Sequence, residues 1–285
     1  MDKDAHPELD ESEELDIFGI KKFQSLIGAL QWTITLGRFD VACAVMTMGS
    51  FRAAPKKNHL KLLEQILGYL KGTKDAAIRF RTSIPQHEKD YVDIKYDWSY
   101  SVYHGCEEEI PKDIPEPKGK PVRLTTYVDA NLLHCRVTGR SVSGILHLIN
   151  ETPVDWFSKK QNVVDSAIYG SEFMAARIAT QQIIDLRLTL RYMGVPIDGP
   201  AWMFGDNEGV IKSSRVPAST LNKRHNALSY HTVRAAVAAG IVKFNHIPGV
   251  SNIADLLTKH IQRPVSEPLV GPYLFRRGPV RNNKE

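Results

Sequence analysis

The chain has 285 residues, of which 42% are hydrophobic and 24% are charged, and its formal net charge at pH 7 is +5. This length suffices for about two ordinary domains, and apolar stretches such as LIGAL and VACAVM are far shorter than the roughly 20 residues that cross a bilayer. The three cysteines, Cys43, Cys106 and Cys135, show no C-x-x-C spacing, which argues against a disulfide framework or a zinc site and favours a reducing compartment. We therefore expect an intracellular protein, cytoplasmic or nuclear, with no membrane partner.

Charge is unevenly distributed along the chain. Residues 1–16 contain eight acids and one base, a net of −7, so residues 17–285 carry +12. An acidic segment of this kind is typical of a solvated, disordered tail, and a basic body is typical of proteins that bind polyanions.

The next two regions differ in character. Residues 17–81 show apolar residues at helical spacing, as in FQSLIGALQWTITL and KNHLKLLEQILGYLKGT, which predicts a small helical unit. Residues 82–121 contain five prolines and the aromatic run YVDIKYDWSYSVY. We interpret this region as a linker with local structure, in which the aromatic run forms a strand or two and fills a local core.

Alternating strands and helices are predicted over residues 122–262. The predicted strands are RLTTYVDA, SVSGILHLI, TPVDWFSKK, AWMFGDN and IVKFNHIPG, and the predicted helices are AIYGSEFMAARIATQQ, a short one from Glu208, RHNALSYHTVRAAVAAG and SNIADLLTKH. The resulting order is βββαβααβα, which indicates an α/β domain. Residues 263–285 are rich in proline and arginine and are predicted to form a loose basic tail.

Four acids lie at the ends of these elements. Asp129 and Asp206 each end a predicted strand, while Glu172 and Asp255 lie near the starts of predicted helices. Neighbouring strands would bring such carboxylates to one sheet edge, where two charges about 4 Å apart repel by roughly 4 kcal/mol at an effective dielectric of 20. Oxygen ligands alone favour Mg²⁺ or Mn²⁺. The spacing of these residues also allows a simpler interpretation, in which Glu172 only interacts favourably with the dipole of its helix.

Several motifs occur together in the order known from one family. These are QSLIGAL, LGYLKGTKD, YVDA, GRSVSGILHL, VDWFSKKQ, SEFMAAR, GDNEGVI, KRHNALSYHTVR and NIADLLTKH. From Val122 to about His260, and more weakly from Phe18 to Thr73, the sequence resembles the end of the polyprotein of a copia-type LTR retrotransposon, where the last part of a reverse transcriptase precedes its ribonuclease H domain. The resemblance implies a ribonuclease H-like mixed five-stranded sheet flanked by helices, preceded by a small helical unit.

The resemblance also implies a site and an activity. Asp129, Glu172, Asp206 and Asp255 match the family's metal-binding carboxylates, which would hold two Mg²⁺ or Mn²⁺ ions and cut the RNA strand of an RNA–DNA hybrid. The implied partners are the hybrid and the rest of a reverse transcriptase.

Some positions depart from the family's pattern. Asn131 and Gly170 stand where related sequences commonly have additional acids. Val250 and Ser251 lie in the loop where ribonucleases H carry a histidine that helps product leave, which predicts slow turnover.

Basic residues around the predicted site are candidates for phosphate contacts. They are Lys159, Lys160, Lys212, Arg215, Lys223, Arg224 and Lys243.

Three functional interpretations follow from the resemblance. The chain lacks the Tyr-x-Asp-Asp turn of a polymerase, so we expect no DNA synthesis and interpret it as a fragment, a processed piece or a decayed copy. It is then an active ribonuclease H or an inactive remnant that binds nucleic acid or a partner. An integrase or transposase core is disfavoured, because that class takes its acids in the order Asp, Asp, Glu.

Overall fold

A mixed five-stranded sheet is the centre of the computed structural model of this protein, which describes residues 6–91, 94–221 and 224–276. The α-helices are α1 (Ile17–Thr35), α2 (Ala42–Gly49), α3 (Lys57–Gly72), α4 (Ile168–Tyr192), α5 (Glu208–Arg215), α6 (Ala227–Ala238) and α7 (Arg263–Val270). The strands are β1 (Ala77–Ile78), β2 (Leu124–Asn131), β3 (Val142–Ile149), β4 (Thr152–Lys160), β5 (Ala201–Gly205), β6 (Val242–His246) and β7 (Leu274–Phe275).

The order of the large sheet is β4-β3-β2-β5-β6. Strands β2, β3 and β4 pair antiparallel, whereas β5 pairs parallel with β2 and β6 pairs parallel with β5. Strand β5 is buried along its whole length, as expected for a strand covered on both faces. This sheet and its flanking helices confirm the predicted ribonuclease H-like fold class.

Helix α4 covers one face of the sheet. Its buried stripe includes Phe173, Ala176, Ala179 and Ile183, which pack in one core with β2, β5 and α6. Two of these residues are alanines, which allow the helix axis to approach the sheet closely. The start of α4 is therefore held firmly beside the end of β2.

The opposite face is covered by two different parts of the chain. Residues Phe39 and Ala42 of the helical unit pack against Leu146, Leu148 and Leu257. Next to them, the rings of His87 and Tyr91 contact those of Trp202 and Phe204. Of the aromatic run expected to fill a local core, Tyr91 makes these contacts and Trp98 packs on Tyr103, whereas Tyr100 is exposed.

No strand occurs within the described part of residues 82–121, so the expected strand or two in the aromatic run is wrong there. The only regular structure found in that part is a 3-10 turn at His87–Lys89. Side chains attach this segment to the sheet instead. Arg123 ion-pairs with Glu88 at 2.7 Å, and the hydroxyl of Thr125 lies 3.0 Å from Nε2 of His87.

The final helix predicted over SNIADLLTKH is shorter and tighter than expected, because the segment forms a 3-10 helix over Ile253–Leu257, and Ser251 ends a separate 3-10 turn at Gly249–Ser251. Two carbonyl groups near its C-terminal end accept hydrogen bonds from side chains of the sheet. Ser158 Oγ donates to the Leu257 carbonyl at 2.6 Å, and the Asn131 side chain donates to the Thr258 carbonyl at 3.2 Å. At the other end, the Asn252 amide donates to the Val128 carbonyl at 3.0 Å. Side-chain hydrogen bonds thus attach both ends of the segment to the sheet.

Residues 6–16 do not form the disordered tail that the sequence predicted, because they make defined contacts with the start of α3. The Asn58 side chain donates to Asp10 at 2.9 Å, and the Asn58 backbone N–H donates to Ser12 at 3.1 Å. A hydrogen bond also joins the Glu13 carbonyl to the Lys57 N–H at 2.9 Å. Acidic residues here lie at the start of α3, where the helix dipole favours negative charge.

The predicted loose basic tail is likewise wrong for residues 263–276. Helix α7 is followed by β7, which pairs antiparallel with β1, and Arg276 ion-pairs with the buried Asp40 at 3.2 Å. Val270 and Leu274 are buried against the sheet. Among the described helices, none is both long and apolar enough to cross a membrane.

Glu108 joins the 82–121 segment to α4. It accepts paired hydrogen bonds from Arg187, at 2.7 Å each, and from Arg191, at 2.6 and 2.7 Å. Burial by itself would raise the pKa of Glu108, but the two guanidinium groups lower it to about 2.

We predict that Glu108→Gln destabilises the protein by about 2 kcal/mol at neutral pH, because two largely buried arginines lose their counter-charge. The stabilisation is present above the ordinary carboxyl pKa near 4 and is lost as pH falls toward about 2. Thermal melting at neutral pH measures the loss. The exposed neighbour Glu109 supplies the control, and an equal change in melting temperature for Glu109→Gln would contradict a specific role of the arginine pair.

Candidate metal centre at the end of the sheet

Asp129 is the innermost carboxylate of the site. It lies near the end of β2, with 1% of its surface exposed, and it pairs in register with Gly144 of β3. A side chain at Gly144 would collide with the 3-10 segment, whose Ala254 carbonyl lies 2.8 Å from the place of such a Cβ. The Thr258 hydroxyl donates a hydrogen bond to Asp129. Glycine at 144 therefore lets the 3-10 segment reach Asp129.

Glu172 is buried in α4, not exposed at the helix start. The helix begins at Ile168, so Glu172 lies past the first turn, where the interaction with the helix dipole is already weak. Only 7% of its surface is exposed. The interpretation of Glu172 as a solvated helix-start charge therefore does not fit its position.

Asp206 follows β5 directly and precedes α5. The parallel pairing of β2 with β5 brings the ends of both strands to one edge of the sheet, and Asn207 caps α5 by accepting the Val210 N–H at 3.1 Å. Carboxylate oxygens of Asp129, Glu172 and Asp206 lie within 4.8 Å of one another. We call these three residues the carboxylate trio.

The trio carries more negative charge than its surroundings neutralise. Burial raises the pKa of Glu172 well above its usual range, and Asp129 and Asp206 raise it further. Burial also raises the pKa of Asp206, again with a contribution from Asp129. In the protein without a bound cation, Glu172 therefore holds a proton at pH values where carboxyl groups are ordinarily ionised.

Asp255, the fourth predicted carboxylate, lies beside Asp129 in the 3-10 segment. Burial and the charge of Asp129 raise the pKa of Asp255 to about 7. The Lys259 ammonium group donates to Asp255 Oδ1 at 2.8 Å and lies 3.5 Å from Asp129 Oδ2. Burial would lower the pKa of Lys259, but Asp129 and Asp255 raise it above its usual value.

The structure gives local reasons for Asn131 and Gly170, the two positions at which related sequences commonly have additional acids. A Cβ atom at Gly170 would lie 1.9 Å from Oδ2 of the buried Asp165, whose other carboxylate oxygen accepts the Ala167 N–H at 3.2 Å. Asp165 thus fills the space that a side chain at position 170 would need. Asn131 has a structural use, because its amide donates to the Thr258 carbonyl.

The predicted phosphate-binding residues are distributed over several surfaces. Lys159 and Lys160 end β4, and Lys212 and Arg224 are exposed elsewhere on the domain. Two others have partners within the protein: Arg215 donates to the Asn245 side chain at 3.3 Å, and the Lys243 ammonium lies 4.2 Å from the centre of the Trp202 ring. Lys223 lies outside the described residues.

Lys159 and Lys160 line a groove of about 830 Å³ between β4 and the helices α1 and α2. Arg52 and Arg140 line the same groove, and sequence reasoning missed both, because only the folded chain brings them beside β4. It also missed Lys259. The four-residue spacing between Asp255 and Lys259, which suits an ion pair on one helical face, was the available signal.

Comparison with known proteins agrees with the resemblance that the motifs indicated. No family model matches the chain. The chain is 23% identical over 85% of its length to the retrovirus-related Pol polyprotein from transposon RE1 of Arabidopsis thaliana, and 24% identical over 85% to that from transposon TNT 1-94 of Nicotiana tabacum. These matches confirm the predicted resemblance to copia-type polyproteins. The chain spans only 14% and 15% of these relatives' lengths.

Solved structures include a similar one, ribonuclease H1 from the halophilic archaeon Halobacterium salinarum NRC-1. Its TM-score is 0.37 and its identity 16%, over 48% of this chain and 94% of that one.

We predict that Glu172→Gln stabilises the protein in EDTA at about pH 8. At this pH the buried glutamate must either keep a charge, which a carboxylate about 5 Å away repels by roughly 3 kcal/mol at an effective dielectric of 20, or take up a proton that it lacks in the unfolded chain. The amide avoids both costs at nearly constant volume. A gain of about 1 kcal/mol or more corresponds to ~2–4 °C in melting temperature.

The stability of the protein without a cation should change with pH in a defined direction. A carboxyl group with a raised pKa contributes stability that is present below its ordinary pKa near 4 and is lost as pH rises through its folded value, which for Asp255 is about 7. The melting temperature of the wild-type protein in EDTA should fall over this range, and less so for Glu172→Gln. Equal slopes, with no gain for the variant, would show that the trio is not under electrostatic strain.

Proposed function

We propose that this protein is a ribonuclease H-type endonuclease that uses divalent cations to cut the RNA strand of RNA–DNA hybrids. The main observation in support of this proposal is that Asp129, Glu172 and Asp206 come from three different parts of the chain and bring their carboxylates together. Similarity to Pol polyproteins over 85% of the chain supports it.

The donor set suits Mg²⁺ or Mn²⁺. Its ligands are all carboxylate oxygens, which hard cations prefer, and the raised pKa values of Glu172 and Asp206 show negative charge that a cation would neutralise. The trio offers ligands for one ion, and Asp255 with Asp129 would offer those of the second ion that the resemblance implies. When bound, such ions activate water and stabilise the leaving 3′ oxygen in phosphodiester hydrolysis.

The protein's own side chains would position the ligands of the ions. The Thr258 hydroxyl fixes the orientation of Asp129 through its hydrogen bond. Asp255 has its pKa raised to about 7 in the protein without a cation, and a cation bound to its carboxylate would lower that pKa. Asp255 also lies nearer to solvent than Asp129, since 19% of its side chain is exposed against 2%.

Two surfaces fit the partners that the resemblance implies. The groove with Arg52, Arg140, Lys159 and Lys160 matches a polyanion, and a hybrid would be recognised through its backbone and 2′-hydroxyls. Helix α1 exposes large apolar side chains that the rest of a reverse transcriptase would cover. They are Ile17, Phe18 and Trp32.

The second candidate is an inactive remnant that binds nucleic acid or a partner. One observation favours it: Lys259 already neutralises part of the charge of Asp255 and Asp129.

We predict Mg²⁺- or Mn²⁺-dependent cutting of the RNA strand in a labelled hybrid, with little action on single-stranded RNA or duplex DNA. Asp206→Asn and Glu172→Gln should each lower the cleavage rate by about 10² or more, equivalent to about 2.7 kcal/mol of transition-state stabilisation. Hybrid affinity should change little, since it depends mainly on phosphate contacts.

Glu208 provides the matched control for these variants. It is an exposed acid two residues after Asp206, so Glu208→Gln should retain wild-type cleavage. Folded wild-type protein that leaves the hybrid intact with both ions would favour the remnant. Full activity of Glu172→Gln would remove Glu172 from the site.

Hybrid binding should also depend on the basic groove. We predict that Arg140→Gln and Lys160→Gln each weaken binding and reduce the slope of log affinity against log salt by about 1, as expected for one lost phosphate contact. Lys61→Gln, on the exposed part of α3, is the control. Salt-dependent titration of the three variants measures this, and unchanged slopes for Arg140 and Lys160 would place the hybrid elsewhere.

A further inference from the structure

The positively charged ammonium group of Lys259 lies beside the two carboxylates that would bind a second ion. Its ammonium group is 2.8 Å from Asp255 Oδ1 and 3.5 Å from Asp129 Oδ2. Asp129 belongs to the trio and Asp255 does not, so the ammonium group lies on the side of Asp129 that faces Asp255.

A divalent ion and this ammonium group compete for the same oxygens. Mg²⁺ binds carboxylate oxygens at about 2.0–2.1 Å with near-octahedral geometry, so an ion on Asp255 Oδ1 would lie at most about 5 Å from the ammonium group, which is itself 2.8 Å from that oxygen. The two cations would also repel each other strongly at such a distance.

The backbone gives Lys259 an advantage in this competition. Lys259 lies four residues after Asp255, and its N–H donates to the Asp255 carbonyl at 2.9 Å. The ammonium group is therefore tethered next to its carboxylate, whereas an ion must be drawn from solution and partly dehydrated.

We propose that the Lys259 ammonium group takes the place of the second divalent ion, so that the free protein binds one ion, at the carboxylate trio. This inference rests on the proposed function, because it concerns the cations of that same site. The site then combines one divalent ion with one fixed organic cation, which changes its metal requirement relative to a two-ion centre.

The test is the number of Mn²⁺ ions bound by the full chain at neutral pH, measured by titration calorimetry and by the electron paramagnetic resonance spectrum, which distinguishes a single ion from a coupled pair. Wild-type protein should bind one ion. Lys259→Met keeps the length of the side chain without its charge, and it should bind a second ion with an affinity about tenfold or more above that of wild type.

Three further variants make the outcome specific. Lys61→Met should bind one ion, as wild type does. Lys259→Arg keeps the positive charge and should also bind one. Adding Asp255→Asn to Lys259→Met should abolish the second ion.

The remaining outcomes separate this inference from the proposed function. Two ions in wild-type protein, or a single ion in folded Lys259→Met, would overturn the role of Lys259 while leaving the trio as a metal site. The wild-type stoichiometry decides the question even if Lys259→Met does not fold. No binding by any of these proteins would overturn the metal centre itself, and the inference with it.

Discussion

Mutual repulsion among buried carboxylates is the constraint on which this structure depends. Asp129 and Glu172 are almost completely removed from water, although each would keep its charge more readily in solution. The protein tolerates this because each carboxylate belongs to an element that is held firmly for other reasons: β2 by pairing on both sides, and α4 by its apolar stripe. The stability of the scaffold therefore offsets the energetic cost of the site, an arrangement common at functional centres.

The 3-10 segment connects the site with the rest of the molecule. Its apolar residues Leu256 and Leu257 pack with Phe39 and Ala42 of the helical unit. Asp255 of the segment, and Thr258 and Lys259 directly after it, face Asp129. The helical unit thus supports one wall of the candidate metal centre. Its presence beside the ribonuclease H-like domain has a structural reason in addition to its resemblance to part of a polymerase.

Sequence reasoning identified the features that depend on periodicity and order. The strands of the large sheet and the stripe on α4 follow apolar spacing, and the placement of acids at strand ends follows from parallel pairing. It failed where a tertiary contact overrides local pattern. The carbonyls of Leu257 and Thr258 are bound by side chains from distant strands, which no local signal reveals. For Lys259, the four-residue spacing from Asp255 indicates an ion pair, but its second contact, with Asp129, appears only in the folded chain.

Pairing of β1 with β7 has a kinetic consequence. Ala77 and Phe275 are partners although almost 200 residues separate them in the chain. Contacts of such long sequence separation carry a large loop-closure entropy and slow the folding of a domain. Since only two residue pairs offset that entropy, we expect this ladder to form after the large sheet has brought both segments near each other. Formation of the ladder therefore marks a late step in folding, at which the helical unit and the C-terminal segment become one cooperative unit with the sheet.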